Sequence, residues 1–560
     1  MAIGMIGSAV HCAGMRKTFE GLSQMFDVPI AFCQEPELRD LEGMIVLGNQ
    51  PELIKAAAAE GIPCLVLIPA VSEPGPRITT RFRFSDRPSL PGGLRGEAWE
   101  EVRDSGASAV VPAGDEEPMG WLGDRLVWTR GGGGVPVYRA AVPFSAYAGD
   151  GMAASLAPGA DRIAFIPLVH FLTELTAQNR WNPPCLSACF VFDDPNLRSM
   201  QYGWLNYQEL VTRARELGCH ASIGMVPLDG AATNSGVAEL FREAGDCLSL
   251  CIHGNNHTYC ELARCETEAA HRVSLAQALR RVRETESRHG VSFCRVMEAP
   301  HGVIHHSMFP ALLSLGFDAA TFTPGQFLNR NGDRAWPPAL GWGAQESFPD
   351  GLCAIPRIVM SRRWPMEVGW AAWLGQPVVV AGHHWDADSG LGFLEGIAST
   401  LSRWGNVKWG RLSRVARACY LTRVESQLFV VKTASRSIWV DVPAQSREMA
   451  VERPWMAADT TAPLRIVERA TGRVLLDAPC GRRSEPLQIN SPTSLSVLSP
   501  PARCFDANEV ELPRFRVWPN VRRKLSELRD RALPRLHRRT AIAVRKRSYF
   551  QARTLEPMEL

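Results

Sequence analysis

The amino-acid sequence predicts an α/β protein whose central part is a β/α barrel or a doubly wound sheet, preceded by a smaller α/β layer and followed by an all-β region. Three observations carry this prediction. From residue 162 to about residue 420, short apolar runs alternate with amphipathic segments about seven times. Past that point helical patterning stops, and short apolar runs follow one another between turn residues. The first 75 residues repeat the strand–helix rhythm on a smaller scale. At 560 residues the chain is too long for one hydrophobic core, so several domains are expected.

The elements follow in order. In residues 1–160, "AIGMIG", "PIAFC", "GMIVLG" and "PCLVLIP" read as strands, and "RKTFEGLSQMF" and "PELIKAAAAEG" as helices of a flavodoxin-like domain. "GEAWEEVRDSG" and "AVVPAG" extend it. "TRGGGGVPVYRAAVPF" reads as a hairpin, because its glycines lack the strand–loop–helix context of a phosphate cradle. Residues 161–420 open with the helical "IAFIPLVHFLTELT". "CFVFDD", "HASIGMVP", "LSLCIHG" and "SFCRVMEAP" then each precede a helix, and "DAATFTP", "LCAIPRIVM" and "PVVVAGHHW" follow. Residues 421–512 read as a small β-sandwich ("QLFVVKTA", "SIWVDVP", "LRIVERATG", "RVLLDAP", "SLSVLS"). Residues 513–560 form a basic tail with a helix at "NVRRKLSELRDRAL".

Composition excludes extremes. Hydrophobic residues at 46% and charged residues at 21% are those of a globular protein, and no run is apolar and long enough to span a bilayer. The fifteen cysteines contain no C-x-x-C pair, so reduced thiols and a cytoplasmic location are expected. The start lacks a basic region ahead of its short apolar run, so no signal peptide is predicted. The net charge of +3 conceals an asymmetry: residues 514–550 hold 13 Arg and Lys against two acids. That tail suits an acidic polymer or a membrane surface, or it is simply a solvated face; no specific nucleic-acid partner is predicted.

The chemistry gathers at predicted strand ends, where β/α folds place their sites. Asp193 and Asp194 end the first strand of the central series. His253 and His257 follow the third, Glu298 and His301 the fourth, and His383, His384, Trp385 and Asp386 the last. Glycine and two asparagines between His253 and His257 argue for a loop that folds both imidazoles onto one ion, rather than a helical pair. Two imidazoles and one carboxylate make a three-ligand divalent-metal site of the catalytic kind. Trp336, Trp342, Trp364, Trp370, Trp373 and Trp385 cluster around the last two strands, where they stack on sugars or pack a core. No G-x-S-x-G elbow is present.

In this order, "FDDPN", "HGNNH", "EAPHG" and "AGHHWD" resemble the motifs of the polysaccharide deacetylase superfamily (NodB homology, carbohydrate esterase family 4), over about residues 185–410. The resemblance implies a distorted (β/α)7 barrel. It implies a divalent ion, zinc first, on Asp194, His253 and His257, with Asp193 as base and His383 or His384 as acid. Glu298, His301, Trp385 and Asp386 fall in substrate-facing or supporting places. The chain is expected to be a divergent member: Glu298 stands where the family keeps the arginine that holds the base, which would raise the base's pKa or add a ligand. The implied activity is metal-dependent hydrolysis of an amide- or ester-linked acyl group on a carbohydrate, in surface-polysaccharide metabolism. The competing readings are a non-catalytic carbohydrate-binding or scaffold barrel, and an amidohydrolase with a non-sugar substrate.

Overall fold

The computed structural model describes residues 2–33, 38–69, 77–104, 109–112, 115–131, 133–156, 162–361, 363–489, 492–513 and 517–539. Seven parallel strands form the central unit: β1 (Leu186–Asp193), β2 (Ala221–Met225), β3 (Leu248–His253), β4 (Phe293–Glu298), β5 (Ala319–Phe322), β6 (Cys353–Val359) and β7 (Val378–His383). Neighbours follow chain order, and β1 pairs with both β2 and β7, so the sheet closes into a barrel. Closure decides between the two architectures the sequence leaves open. Helices Tyr207–Leu217, Ser235–Glu243, Glu268–His289 and Gly392–Ser402 occupy the segments patterned for them.

The two-residue period of a strand explains both lining and shell. Along β1, Phe190 and Phe192 turn outward into the large cluster shared with the helices. Cys189 and Val191 turn inward, where they meet Cys251, Cys294, Val296, Cys353, Ile355, Val379 and Ala381. Small side chains suit this narrow lumen, and many of the cysteines serve there as compact apolar residues. The described cysteines are all free thiols. Asp193 continues the inward series, so its carboxylate faces the lumen at the carboxyl end of the barrel.

The N-terminal layer is one nine-stranded sheet. Ile30–Cys33, Ile3–Ile6, Gly43–Leu47, Cys64–Pro69 and Val137–Val142 lie in that spatial order and are parallel. Four antiparallel strands continue it, and Val137–Val142 pairs with Arg125–Gly131 as the hairpin expected across the glycine-rich turn. Two of those antiparallel strands, Arg77–Phe84 and Glu117–Leu122, lay outside the sequence expectation, since they are polar and irregularly spaced. Helix Ile166–Leu175 buries Ile166, Leu168, Val169, Phe171 and Leu172 in this layer's core. Trp342, Trp370 and Trp373 join that core and Trp336 and Trp364 pack against the barrel's, so packing accounts for five of the six clustered tryptophans.

Past residue 419, two four-stranded sheets face each other over a shared core. Phe429, Val431, Met449 and Val451 of one sheet meet Ile438, Val440, Leu464, Ile466 and Val497 of the other. The chain then returns to the barrel. Its last described element, a helix from Val517 to Arg539, lies across the carboxyl ends of the strands.

Candidate metal centre and its supporting residues

The strand register assembles the site. Asp193 lies opposite Gly224 on one side and His383 on the other, and His253 lies opposite Glu298. An added Cβ at Gly224 would stand 2.9 Å from Asp193 Oδ1, so a side chain there would displace the carboxylate. Asp194 leaves the strand with φ +81°, and His257 and His301 also have positive φ, at +52° and +60°. Three left-handed non-glycine residues around one pocket place backbone strain where function is expected.

Asp194, His253 and His257 each present a ligand atom, and these atoms lie within 4.8 Å of one another. Their protonation suits a cation. His253 Nδ1 is 3.0 Å from the Glu298 carbonyl oxygen, which can only accept, so Nδ1 carries the proton and Nε2 the lone pair. Burial, helped by Arg357 and Arg523, pushes the His253 pKa down to about 3; burial likewise pushes His257 down to about 4. Both imidazoles are therefore neutral at pH 7, as metal ligands must be. Burial works against ionised Asp194, but His257, Arg523, His253 and His383 together hold its carboxyl well below the usual carboxylate range. One carboxylate and two neutral imidazoles fit a divalent ion.

A second group, His305, His306 and Asp333, does not fit in the same way. His305 Nδ1 accepts the Ser307 backbone N–H at 3.2 Å, which leaves the ring proton on Nε2, the atom turned to Asp333 at 3.9 Å. No lone pair of His305 is therefore aimed at a cation, and it is His306 that hydrogen-bonds Asp333, at 3.2 Å.

Asp193 Oδ2 accepts a 2.8 Å hydrogen bond from Arg357 Nη1, and the same nitrogen donates to Glu298. Thr321 donates to the other Glu298 oxygen at 2.6 Å. Glu298 therefore does not stand beside the base as a bare third carboxylate: the expected loss of a cation is offset by a guanidinium supplied from β6. Burial still pushes Glu298 up to about 7 and Asp193 up to about 6, with Arg357 opposing both. Asp193 Oδ1 is buried and accepts no hydrogen bond from the described residues. It is the oxygen available to take a proton.

The two candidate acids separate. His383 Nε2 lies 4.0 Å from Asp194 Oδ2, its ring stacks on Trp385 at 4.2 Å, and its backbone N–H donates to the Asp386 carboxylate at 2.7 Å. His384 is fully buried on the other side of the chain, stacked on Trp204, with Nε2 3.7 Å from Asp530. The structure thus brings His383 to the pocket and turns His384 away. His301 sits on the rim, its ring 5.3 Å from that of His257.

Several supporting residues escape sequence reasoning. Glu261 accepts the backbone N–H groups of Asn255, Asn256, His257 and Thr258 at 2.7 to 3.3 Å, which shapes the histidine loop. Arg281 donates to the side chains of Asn255 and Asn256 from the long helix. Arg357 had a visible signal, an arginine inside the apolar run "CAIPRIVM", which must find a buried partner. Arg523 had none, because it comes from the tail. Its guanidinium donates to Asp194 Oδ1 at 3.1 Å and to Asp229 at 2.8 Å, and Arg522 donates to the His257 carbonyl. The tail helix is thus part of the site's wall, not the freely solvated segment that is the simplest reading of its charge.

No protein-family model matches the chain, and no curated protein matches it. Among solved structures it is similar to a family 4 carbohydrate esterase from Streptomyces lividans in complex with acetate, at 14% identity, 41% of this chain, 94% of that one and a TM-score of 0.25. A putative polysaccharide deacetylase from Mycobacterium smegmatis gives 14%, 42%, 93% and 0.29, and a CE4 esterase from Streptococcus mutans 14%, 41%, 87% and 0.22. Scores this low add nothing to the topology and side-chain geometry above.

Proposed function

We propose that the protein is a divalent-metal-dependent hydrolase that removes an acyl group, with acetyl the simplest case, from an amide- or ester-acylated carbohydrate. The observation that carries the reading is the grouping of Asp194, His253 and His257 beside a second carboxylate, Asp193, that is held by the Arg357 guanidinium. Zinc is the ion that suits two imidazoles and a carboxylate best. Bound there, it would supply Lewis-acid polarisation of the acyl carbonyl and lower the pKa of water.

The chain's own residues do the rest. Asp193 takes a proton from the attacking water at Oδ1, while Arg357 holds Oδ2 and fixes the carboxylate's orientation. His383, its ring stacked on Trp385 and its backbone N–H fixed by Asp386, hands a proton to the leaving nitrogen or oxygen. Glu298 is occupied by Arg357 and Thr321 and serves to position the arginine. The carbohydrate class rests on the motif order and on the rim aromatics Trp385 and Tyr259. A role in surface-polysaccharide metabolism belongs to the same proposal.

Acetate release from N- and O-acetylated oligosaccharides tests the reading. Asp193→Asn is expected to keep its metal and to lose turnover by about 10³-fold, the scale of a general base. An unchanged rate in that variant removes Asp193 from the mechanism. One observation favours a second reading, a carbohydrate-binding barrel without catalysis: Arg523 already places a cation on Asp194. Full metal binding with no release from amide or ester substrates selects it.

A further inference from the structure

The C-terminal helix is amphipathic the wrong way round for a helix that only packs on its own protein. Three of its charged residues, both acids among them, face inward. Arg523 bonds Asp194 and Asp229; Glu527 forms ion pairs with Arg531 at 2.8 Å and with Arg198 at 3.2 Å; Asp530 accepts from Tyr202 at 2.9 Å. Arg523, Glu527 and Asp530 are all buried. Its large apolar residues face outward: Val517, Trp518, Val521, Leu525 and Leu528 are 62%, 66%, 39%, 57% and 64% exposed. Their spacing of three, four and three residues from Trp518 onward places them in one stripe, opposite the buried face.

The charges on the outer surface have one sign. Glu527 and Asp530 are the only acids in residues 514–550, and both are turned into the protein. Lys524 and Arg529 are exposed alongside the stripe. The sequence continues with Arg535, Arg538, Arg539, Arg545, Lys546 and Arg547. The apolar surface also extends past the helix. Tyr259, 65% exposed, lies two residues from His257, whose carbonyl accepts from Arg522. Met200, 37% exposed, follows Ser199, which Arg531 contacts at 3.0 Å. Seven of the eleven exposed large hydrophobic side chains among the described residues therefore gather on or beside this helix.

We infer that the C-terminal helix is an interfacial anchor that seats the protein on an anionic lipid bilayer through Trp518, Val521, Leu525 and Leu528, with the flanking Lys and Arg on the headgroups. An apolar stripe edged by cations and free of outward acids is the composition that binds such a surface. A second copy of the chain is disfavoured, because it would bring two cationic edges together. No described helix is long and apolar enough to cross a membrane, so the contact is peripheral. Since the opposite face of the helix touches Asp194, the lipid surface would lie about one helix diameter, roughly 10 Å, from the candidate centre. The inference holds whatever reaction the centre performs.

Vesicle flotation with the full-length protein tests it, comparing phosphatidylcholine vesicles with vesicles that also contain phosphatidylglycerol. Wild type is expected to float with the anionic vesicles and not with the neutral ones. The triple variant Trp518→Ser, Leu525→Ser, Leu528→Ser is expected to lose about tenfold or more of that partitioning while it keeps the wild-type circular dichroism spectrum and metal content. Lys524→Ala with Arg529→Ala is expected to weaken binding and its salt dependence. Wild type that stays with neither vesicle, or a triple variant that partitions like wild type, overturns the inference. So does a lipid-free dimer that the triple variant abolishes, which would assign the stripe to a second copy, or retention on an acidic protein without vesicle binding.

Discussion

At the scale of the residue, the site turns on where its cations stand. Two carboxylates from strands that do not pair, Asp193 on β1 and Glu298 on β4, share the Arg357 guanidinium, so the buried cation between them comes from β6. Removal of Arg357 leaves two buried acids without a counter-charge. Arg357→Met is expected to retain the metal, to lower kcat/KM by about 10²-fold, and to move the acidic limb of its pH profile upward. The sign follows from Asp193: the base must be ionised, burial raises its pKa to about 6, and Arg357 works against that rise. Activity therefore falls as pH drops through about 6 in the wild type and at higher pH in the variant. Gly224→Ala probes the same carboxylate from the other side, and its Cβ, 2.9 Å from Asp193 Oδ1, is expected to reduce kcat and leave metal content unchanged. The acids and histidines of this pocket were legible as residue types at strand ends. Arg357's partner was not, because pairing across β1, β4 and β6 depends on closure of the barrel.

At the scale of the element, the histidine loop and the C-terminal helix carry the argument. Glu261 alone gathers four backbone N–H groups, so Glu261→Ala leaves the loop of His253 and His257 without its organiser. Zinc affinity, read by competition with a chromophoric chelator, is expected to fall by about 10- to 100-fold, the usual cost of losing support behind a metal ligand. Arg523 acts in the opposite sense, since a buried guanidinium beside Asp194 repels a cation on the same carboxylate. Arg523→Gln is expected to bind zinc about tenfold more tightly. Strand and helix periods identified the seven β/α units and the tail helix as elements. They could not say that a segment 329 residues along the chain from Asp194 returns to cover it. Contacts of that separation leave no mark in local patterning, and the helix's inward charged face reads in sequence as a solvated one.

At the scale of the whole molecule, burial of neutral histidines links stability to pH. His170, His220 and His271 lie away from the metal pocket, and burial lowers the pKa of each, that of His220 to about 4. Each is neutral in the fold and takes up a proton on unfolding once the pH is below about 6.5. The unfolded state thus binds more protons between about pH 6.5 and 4, and stability declines as pH falls through that window. Urea midpoints are expected to drop from pH 7 to pH 5, and His220→Gln to flatten the drop. The alternation of strands and helices announced an α/β centre, and the run of short strands announced the paired sheets at the end. Strands Arg77–Phe84 and Glu117–Leu122 of the N-terminal sheet were not legible, nor was which core Trp342, Trp370 and Trp373 would join, because both are set by how the layers meet.

The central claim is that Asp194, His253 and His257 hold a divalent ion. Inductively coupled plasma analysis of wild type and Asp194→Ala, each equilibrated with zinc and freed of excess, tests it most directly. The account predicts about one zinc per wild-type chain and loss of that ion in the variant. Equal occupancy in the two proteins, or no bound metal in wild type, would contradict it.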